Sequence, residues 1–194
     1  MDGETIDILA SLAGCEAEVS KITEAAMAGE LDFFESLTRR VAFLKGVDAA
    51  KAKSRCADLP FIEGAGDIIK GLKGAGYKVV VFSGGFSMGT APAREKLGFD
   101  MDFSNKLHEK DGVLTGLVGG EMMYSDSKGV MLQKLQALLG VSMEDTIAVG
   151  DGANDASMFE FAAKKIAFCA KPKLKEAANI VIDTKDLREI GKYI

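Results

Sequence analysis

The 194-residue sequence has few of the residues on which several enzyme classes depend. It has a single histidine, His108, so a cysteine nucleophile would have only one candidate base. The three cysteines, Cys15, Cys56 and Cys169, are far apart and form no Cys-x-x-Cys pair. That spacing favours reduced structural thiols over a disulfide framework or a metal site. We therefore expect neither a thiol nor a disulfide to carry the chemistry of this chain.

The sequence also lacks an excess of positive charge and a long apolar run. Its net charge is −5 and its pI is about 5.1, which does not favour binding to nucleic acid or to an anionic membrane surface. No apolar stretch reaches the roughly 20 residues of a bilayer span, and the first residues lack the pattern of a secretory signal. We expect a cytoplasmic protein with no membrane partner and no nucleic-acid partner.

Two kinds of periodicity divide the chain near Pro60. Residues 1–60 show only helical spacing of apolar residues, with Gly14, Gly29 and Gly46 placed where helices can end. After residue 60, helical segments alternate with strand-like segments. The strand-like segments are 77–82, 99–103, 146–149, 166–169 and 180–182. This alternation predicts an α/β fold, a doubly wound parallel sheet at 61–194 with a helical cap insert at 1–60.

Two of these segments allow finer predictions. The strand-like segment at 77–82 is rich in valine and does not alternate with polar residues, which predicts burial on both faces. The dipeptide Asp111-Gly112 lies within residues 107–117 and predicts a β-hairpin. A helix is predicted at 128–139 and another at 154–163.

A cluster of oxygen-bearing side chains follows the strand at 146–149. The sequence Gly-Asp-Gly-Ala-Asn-Asp occupies residues 150–155 and supplies Asp151, Asn154 and Asp155. In open α/β sheets, ligands bind beyond the carboxyl ends of strands, and hard oxygen ligands of this kind suit Mg²⁺. Ordinary turn-forming residues would give the same sequence. A metal site and a plain turn are both compatible with this segment.

Two further segments suggest phosphate chemistry. Ser83-Gly84-Gly85 follows the strand at 77–82, and could be a phosphate cradle or a plain strand-to-helix turn. Lys128 stands at a predicted helix start, where a lysine is ordinarily a solvated charge. A hydroxyl, a lysine and a carboxylate in this order match what a phosphoryl group requires. Neither a dinucleotide fingerprint nor a P-loop is present.

Taken together, the three segments resemble the second, third and fourth motifs of the haloacid dehalogenase superfamily. Within that superfamily, residues 3–7, 39–41 and 114–116 resemble the phosphoserine phosphatases. The resemblance implies a haloacid dehalogenase-like core with a helical cap. It implies Mg²⁺-dependent hydrolysis of O-phosphoserine, the last step of serine biosynthesis, through an aspartyl-phosphate intermediate. It further implies a small-molecule substrate and a monomer or homodimer.

The resemblance assigns roles to the residues of the three motifs. Ser83 would hydrogen-bond the phosphoryl group with Gly84 and Gly85 beside it. Lys128 would balance the charge of the phosphate and of the nucleophilic carboxylate. Asp151 would ligate Mg²⁺, Asp155 would support that metal site, and Asn154 would reach the substrate. The residues implied in catalysis are thus Ser83, Lys128, Asp151 and Asp155.

The resemblance also places an amino-acid subsite in the helical cap. Glu4 would meet the substrate ammonium, and the planar guanidinium of Arg40 would bind its carboxylate at two points. Without the resemblance, both residues would be interpreted as solvated helix charges. Met27 and Phe33 would line the pocket, although ordinary core packing is the favoured interpretation for these two.

One motif of the family is not found. It is an apolar strand ending in Asp-x-Asp, whose first aspartate is the nucleophile and whose second is the general acid and base. Asp2 cannot replace it, because no strand precedes Asp2 and no Asp-x-Asp begins there. We therefore expect the chain as given to be inactive, and interpret it as an N-terminally shortened phosphatase. A phosphoserine-binding protein without catalysis and a phosphatase for another small phosphate ester are the alternatives.

Overall fold

The computed structural model describes residues 3–194, so Asp2 lies outside the described part of the chain. The chain forms two compact units. The first comprises Phe61 and the residues before it together with Ile69–Tyr124, and the second comprises Ile62–Ile68 and Ser125–Ile194. The predicted division into a cap at 1–60 and a core at 61–194 stays a prediction.

The first unit begins with four helices, as the periodicity of residues 1–60 predicts. They are α1 (Thr5–Ala13), α2 (Glu16–Met27), α3 (Phe33–Ala42) and α4 (Ala49–Ala57). A further helix, α5 (Ala65–Gly74), begins in the second unit and ends in the first. The apolar faces of α1–α4 share one core with Phe86 and Leu114. Gly14 ends α1 in the left-handed conformation, φ 66°, which glycine adopts without strain.

A three-stranded sheet completes the first unit. Its elements are β1 (Val80–Phe86), α6 (Ser87–Leu97), β2 (Met101–Lys110) and β3 (Val113–Gly120), in the strand order β1-β2-β3. β1 and β2 are parallel, and β2 and β3 form an antiparallel hairpin. The hairpin prediction is confirmed, because Asp111 and Gly112 both take positive φ, 53° and 80°, as a type I′ turn requires.

β1 differs from its prediction in two respects. It was expected to be buried on both faces, but Val80 to Gly85 are only half-buried because β1 is an edge strand of its sheet. Of the two interpretations of Ser83-Gly84-Gly85, the plain strand-to-helix turn does not form. The strand continues to Phe86, and its pairing with β2 jumps from Ser83–Ser104 to Phe86–Asn105. Gly84 and Gly85 therefore form a two-residue β-bulge, which redirects the peptide groups of this segment.

The second unit alternates strands and helices. Its elements are α7 (Ser127–Leu139), β4 (Ile147–Gly150), α8 (Ala156–Phe159), β5 (Lys164–Phe168), α9 (Pro172–Ala177) and β6 (Ile180–Ile182). Two 3₁₀ segments lie at Ala153–Asp155 and Leu187–Tyr193. The strands pair in the order β4-β5-β6 and are all parallel. The helix expected at 154–163 is shorter and ends at Phe159.

The alternation of strands and helices confirms the predicted α/β fold class. The second unit has its own core, in which Ile166, Phe168, Ile182 and Ile190 are buried. Within residues 3–194, no helix combines the length and the apolar character that a membrane crossing requires.

Candidate active site

The glycine bulge of β1 arranges a small set of polar groups in the first unit. Gly85 N–H donates a hydrogen bond to Ser83 Oγ at 3.1 Å. A Cβ atom added at Gly85 would lie 3.2 Å from Ser83 Oγ, a tight contact, and 2.7 Å from Thr5 Oγ1, closer than real Cβ atoms approach a neighbour. Only glycine therefore fits at this position while Thr5 keeps its place. The Ser83 hydroxyl beside the main chain of this bulge can bind an anion.

Asn105 holds the bulge from the neighbouring strand. Its side chain is fully buried, and Nδ2 donates to the carbonyl oxygens of Gly84 at 3.1 Å and Met122 at 2.9 Å. No role was predicted for Asn105 or Thr5 from the sequence. Asn105 lies just beyond the strand-like segment at 99–103, so the sequence pattern gave no signal for this position.

Glu4 and Arg40 lie in electrostatic range of each other in the first unit. Glu4 is exposed at the start of α1, and Arg40 is half-buried in the last turn of α3. Burial lowers the pKa of the Arg40 guanidinium, while the charges of Glu4 and Asp7 oppose that shift. Arg40 Nε donates to Ser36 O at 3.2 Å, and the guanidinium forms no ion pair with a residue of the described chain. The guanidinium can therefore accept an anionic partner.

The two predicted pocket-lining residues differ in their surroundings. Phe33 packs against the core of the first unit, as the core-packing interpretation predicts. Met27 is 68% exposed, so the core-packing interpretation is wrong for this residue. It ends helix α2, where the chain turns toward α3, and its side chain does not reach the apolar face that α2 buries through Val19.

In the second unit, Lys128 and Asp155 form a buried ion pair. Lys128 is the second residue of α7, and its Nζ lies 2.5 Å from Asp155 Oδ1. The other carboxylate oxygen of Asp155, Oδ2, accepts the N–H groups of Asp151 at 2.9 Å and Gly152 at 3.0 Å. All of these contacts fix the loop that follows β4, so Asp155 supports the position of Asp151.

Asp151 is the candidate metal ligand of this loop. Burial raises the pKa of its carboxyl group, and the charge of Asp155 raises it further while Lys128 opposes the shift. Among residues 3–194, Asp151 forms no ion pair, and no group of three or more acidic, histidine or cysteine side chains could hold a metal unaided. One available carboxylate is compatible with Mg²⁺, which usually takes one or two protein carboxylates together with waters and substrate phosphate.

Asn154 is positioned by a residue that the sequence analysis missed. Ser157 Oγ donates to Asn154 O at 3.2 Å and accepts the N–H of Gly129 at 3.1 Å. Gly129 follows Lys128 directly, and a Cβ atom there would lie 2.4 Å from Ser157 O. This close approach of α7 to α8 therefore brings Lys128, Asn154 and Asp155 into one small region.

The predicted site residues thus fall into two groups. Glu4, Arg40, Ser83, Gly84 and Gly85 lie in the first unit. Lys128, Asp151, Asn154 and Asp155 lie in the second. That the two groups act on one ligand stays a prediction.

The sequence does contain one Asp-x-Asp, at residues 100–102. It precedes and begins β2 instead of following a strand. Asp100 Oδ2 accepts the N–H of Val79, and Asp102 forms hydrogen bonds with Thr90 and Arg94. Both carboxylates are therefore hydrogen-bonded to the elements that surround β2. This pair does not replace the nucleophile motif.

The three cysteines are all free thiols, as predicted. Cys15 and Cys56 are buried, and burial raises the pKa of Cys56 to about 11. Cys169 is exposed, so a structural role in the core, which was expected for all three, does not apply to it.

Comparison with known proteins identifies the family. A family model for haloacid dehalogenase-like hydrolases matches residues 3–162. The phosphoserine phosphatase of Wolinella succinogenes is 62% identical over 194 residues, which are 100% of this chain and 94% of that protein. A solved substrate-bound phosphoserine phosphatase complex is 51% identical and superposes with a TM-score of 0.93, covering 100% of this chain and 92% of the other. A phospho-aspartyl intermediate analogue of phosphoserine phosphatase has the same identity, TM-score and coverage. The chain belongs to the haloacid dehalogenase-like hydrolases and, among them, to the phosphoserine phosphatase family.

Proposed function

We propose that the function of this chain is the hydrolysis of O-phosphoserine to serine and phosphate. The observation that carries the proposal is the proximity of Arg40 to Glu4 without an ion pair between them. An amino acid presents one carboxylate and one ammonium group, and the first unit offers a guanidinium without an ion-pair partner near the exposed carboxylates of Glu4 and Asp7. A phosphate ester without an amino-acid group would leave both charges unused. The names of the relatives support the same substrate.

The phosphoryl group would be bound by residues of the three sequence motifs. Ser83 Oγ would hydrogen-bond its oxygens with Gly84 and Gly85 beside it, and Lys128 would balance their charge. Asn154 would reach the substrate from the loop after β4, and Met27 and Phe33 would line the pocket. Hydrogen-bond donors that are already fixed before the ligand arrives stabilise developing charge without reorganisation.

Asp151 is the residue that we propose as a ligand of Mg²⁺. The raised pKa of its carboxyl group indicates that the carboxylate is poorly compensated by the protein alone, and a divalent cation would compensate it. When bound, Mg²⁺ would supply electrostatic stabilisation of the phosphoryl group. Asp155 would keep the Asp151 backbone in place through the two N–H groups that it accepts.

The route through an aspartyl-phosphate belongs to the same proposal. The phospho-aspartyl analogue of a relative supports it. In these 194 residues the only Asp-x-Asp is the one at 100–102, which makes other contacts. Loss of a catalytic nucleophile costs on the order of 10⁶ in rate. We therefore expect these residues by themselves to bind O-phosphoserine without turning it over.

The proposed setting is the cytoplasm, with a small-molecule substrate and a monomer or homodimer. Three free thiols support a reducing compartment. The reaction itself needs no membrane or nucleic-acid partner.

Calorimetric titration with O-phospho-L-serine and MgCl₂, together with an assay of phosphate release, tests the proposal. We expect binding that Arg40→Gln weakens about tenfold or more, because a charge-assisted bond to the substrate carboxylate is lost. Arg39→Gln is the matched control, since Arg39 pairs with Glu35 on the same helix. Absence of binding to the folded protein would refute the amino-acid substrate. Turnover by the 194 residues would refute the expectation that they lack a nucleophile.

A further inference from the structure

Asn105 joins two separate stretches of main chain through one buried carboxamide. It lies on β2 where the pairing with β1 resumes after the glycine bulge. Both Nδ2 bonds are made to carbonyl oxygens, those of Gly84 and Met122, and Oδ1 accepts the N–H of Met122 at 3.0 Å. Since a carboxamide has two N–H protons, none is left for a ligand. Asn105 therefore acts on its surroundings only through the main chain.

The bond to Gly84 controls the direction of one N–H group. The carbonyl of Gly84 and the N–H of Gly85 belong to the same planar peptide unit, so fixing one end fixes the other. That N–H donates to Ser83 Oγ at 3.1 Å. Because the Ser83 oxygen accepts this bond, its own proton remains available to donate to another acceptor.

We propose that Asn105 is a positioning residue for phosphoryl binding, which sets the direction of the Ser83 hydroxyl proton through the peptide group between Gly84 and Gly85. The inference rests on the proposed function, in which Ser83 Oγ binds the phosphoryl group. It adds a residue outside the recognised motifs of the sequence, and it explains why a polar side chain occupies a fully buried place on β2.

Two glycines keep the space that this arrangement requires. A Cβ atom at Gly120 would lie 2.8 Å from Asn105 Cα and 2.9 Å from Asn105 Oδ1. A Cβ atom at Gly85 would lie 2.7 Å from Thr5 Oγ1. The peptide group between Gly84 and Gly85 is hydrogen-bonded at both ends, to Asn105 through its carbonyl and to Ser83 through its N–H. Contacts on two sides leave the peptide unit little freedom to rotate.

Nuclear magnetic resonance of the ligand-free protein tests the geometry. We expect the two Asn105 Nδ2 protons to exchange with solvent at least about tenfold more slowly than those of the half-buried Asn154, because both are hydrogen-bonded. Asn105→Asp keeps an acceptor for Met122 N–H and removes both donors. In this variant we expect the Gly85 amide proton to exchange about tenfold faster and its ¹⁵N shift to move.

Titration with inorganic phosphate in the presence of MgCl₂ tests the consequence. We expect Asn105→Asp to bind phosphate about tenfold more weakly than the unchanged protein. Thr90→Val is the matched control. Thr90 is equally buried and bonded to Asp102 and Ser104 in the same sheet, but it does not contact the bulge. Its substitution should leave the Gly85 amide and the phosphate affinity within about twofold.

The possible outcomes separate the two proposals. A folded Asn105→Asp protein with unchanged Gly85 exchange and unchanged phosphate affinity overturns the positioning role alone. If that variant does not fold, fast exchange of the Asn105 side-chain protons in the unchanged protein overturns it. Failure of the unchanged protein to bind either phosphate or O-phosphoserine refutes the proposed function, and the positioning role with it.

Discussion

Asp155 accepts a hydrogen bond from Lys128 Nζ at 2.5 Å, in a position where the two side chains keep only 5% and 11% of their exposure. Its second oxygen accepts the N–H groups of Asp151 and Gly152. One carboxylate therefore holds a buried ammonium group and the loop that carries the proposed metal ligand. A buried charge without its partner is costly, so the loss of either side chain should destabilise the second unit.

We expect Asp155→Asn to lower the free energy of unfolding by about 3–5 kcal/mol, because Lys128 would keep a buried, unpaired charge. Urea denaturation at neutral pH measures the change. The double variant Lys128→Met with Asp155→Asn should lose less than the single variant, since no buried charge remains and the asparagine oxygen can still accept the N–H groups of Asp151 and Gly152. A double variant less stable than Asp155→Asn would contradict this account.

Gly150→Ala should destabilise the protein by about 1–3 kcal/mol through overpacking. The added Cβ would lie 2.3 Å from Asp155 Cβ, so either the strand or the carboxylate must shift. Gly119→Ala is the control, because no atom lies within 4 Å of its added Cβ. Thermal or urea unfolding of the two variants should differ clearly, with the control within about 0.5 kcal/mol of the unchanged protein.

Ser36→Ala should stabilise the protein. Ser36 Oγ is buried and has no hydrogen-bond partner in the described part of the chain. Removing an unsatisfied buried hydroxyl gains about 1 kcal/mol. Ser104→Ala is the opposite case, because Ser104 Oγ is bonded to Thr90 Oγ1 at 2.9 Å, and it should lose about 1 kcal/mol. Equal effects of the two substitutions in urea denaturation would show that the Ser36 hydroxyl does have a partner.

Asp100 should make the stability depend on pH in the acidic range. The hydrogen bond from Val79 N–H lowers the pKa of its carboxyl group most, with a further lowering from Lys73 and Lys78. A carboxyl pKa that is lowered in the folded protein means that the unfolded chain binds the proton more tightly than the folded protein does. The contribution of Asp100 is therefore fully present above the ordinary carboxyl pKa, near pH 4, and is lost as the pH falls through the lowered value.

Melting temperatures of the unchanged protein and of Asp100→Ala between pH 7 and pH 2 check this prediction. The difference between the two proteins should be largest at neutral pH and should shrink as the solution becomes more acidic. Glu144→Ala, on an exposed side chain, serves as the control and should follow the unchanged protein throughout. A difference that stays constant with pH would contradict the assigned cause.

The sequence predicted those features that depend on neighbouring residues. Asp111 and Gly112 adopt the two positive φ angles of a tight hairpin because that preference is a property of the dipeptide itself. The grouping of Lys128 with the loop after β4 also followed from motif order. The bulge at Gly84 and Gly85 could not be predicted, because it depends on the register against β2. The prediction that β1 is buried on both faces is wrong for a related reason, since periodicity does not distinguish an edge strand from a central one.

The glycine bulge also constrains the number of residues in its segment, because side chains alternate between the two faces of a strand. Ser83 and Phe86 are three positions apart on β1, while their partners Ser104 and Asn105 are adjacent on β2. Both intervals are odd, so the paired residues after the bulge lie on the same face of the sheet as each other, and Phe86 packs in the core. Deleting one glycine would leave an even interval and turn Phe86 to the opposite face. Deleting both would restore the faces but remove the N–H that reaches Ser83, so the number of residues in this segment is constrained as well as the glycine at position 85.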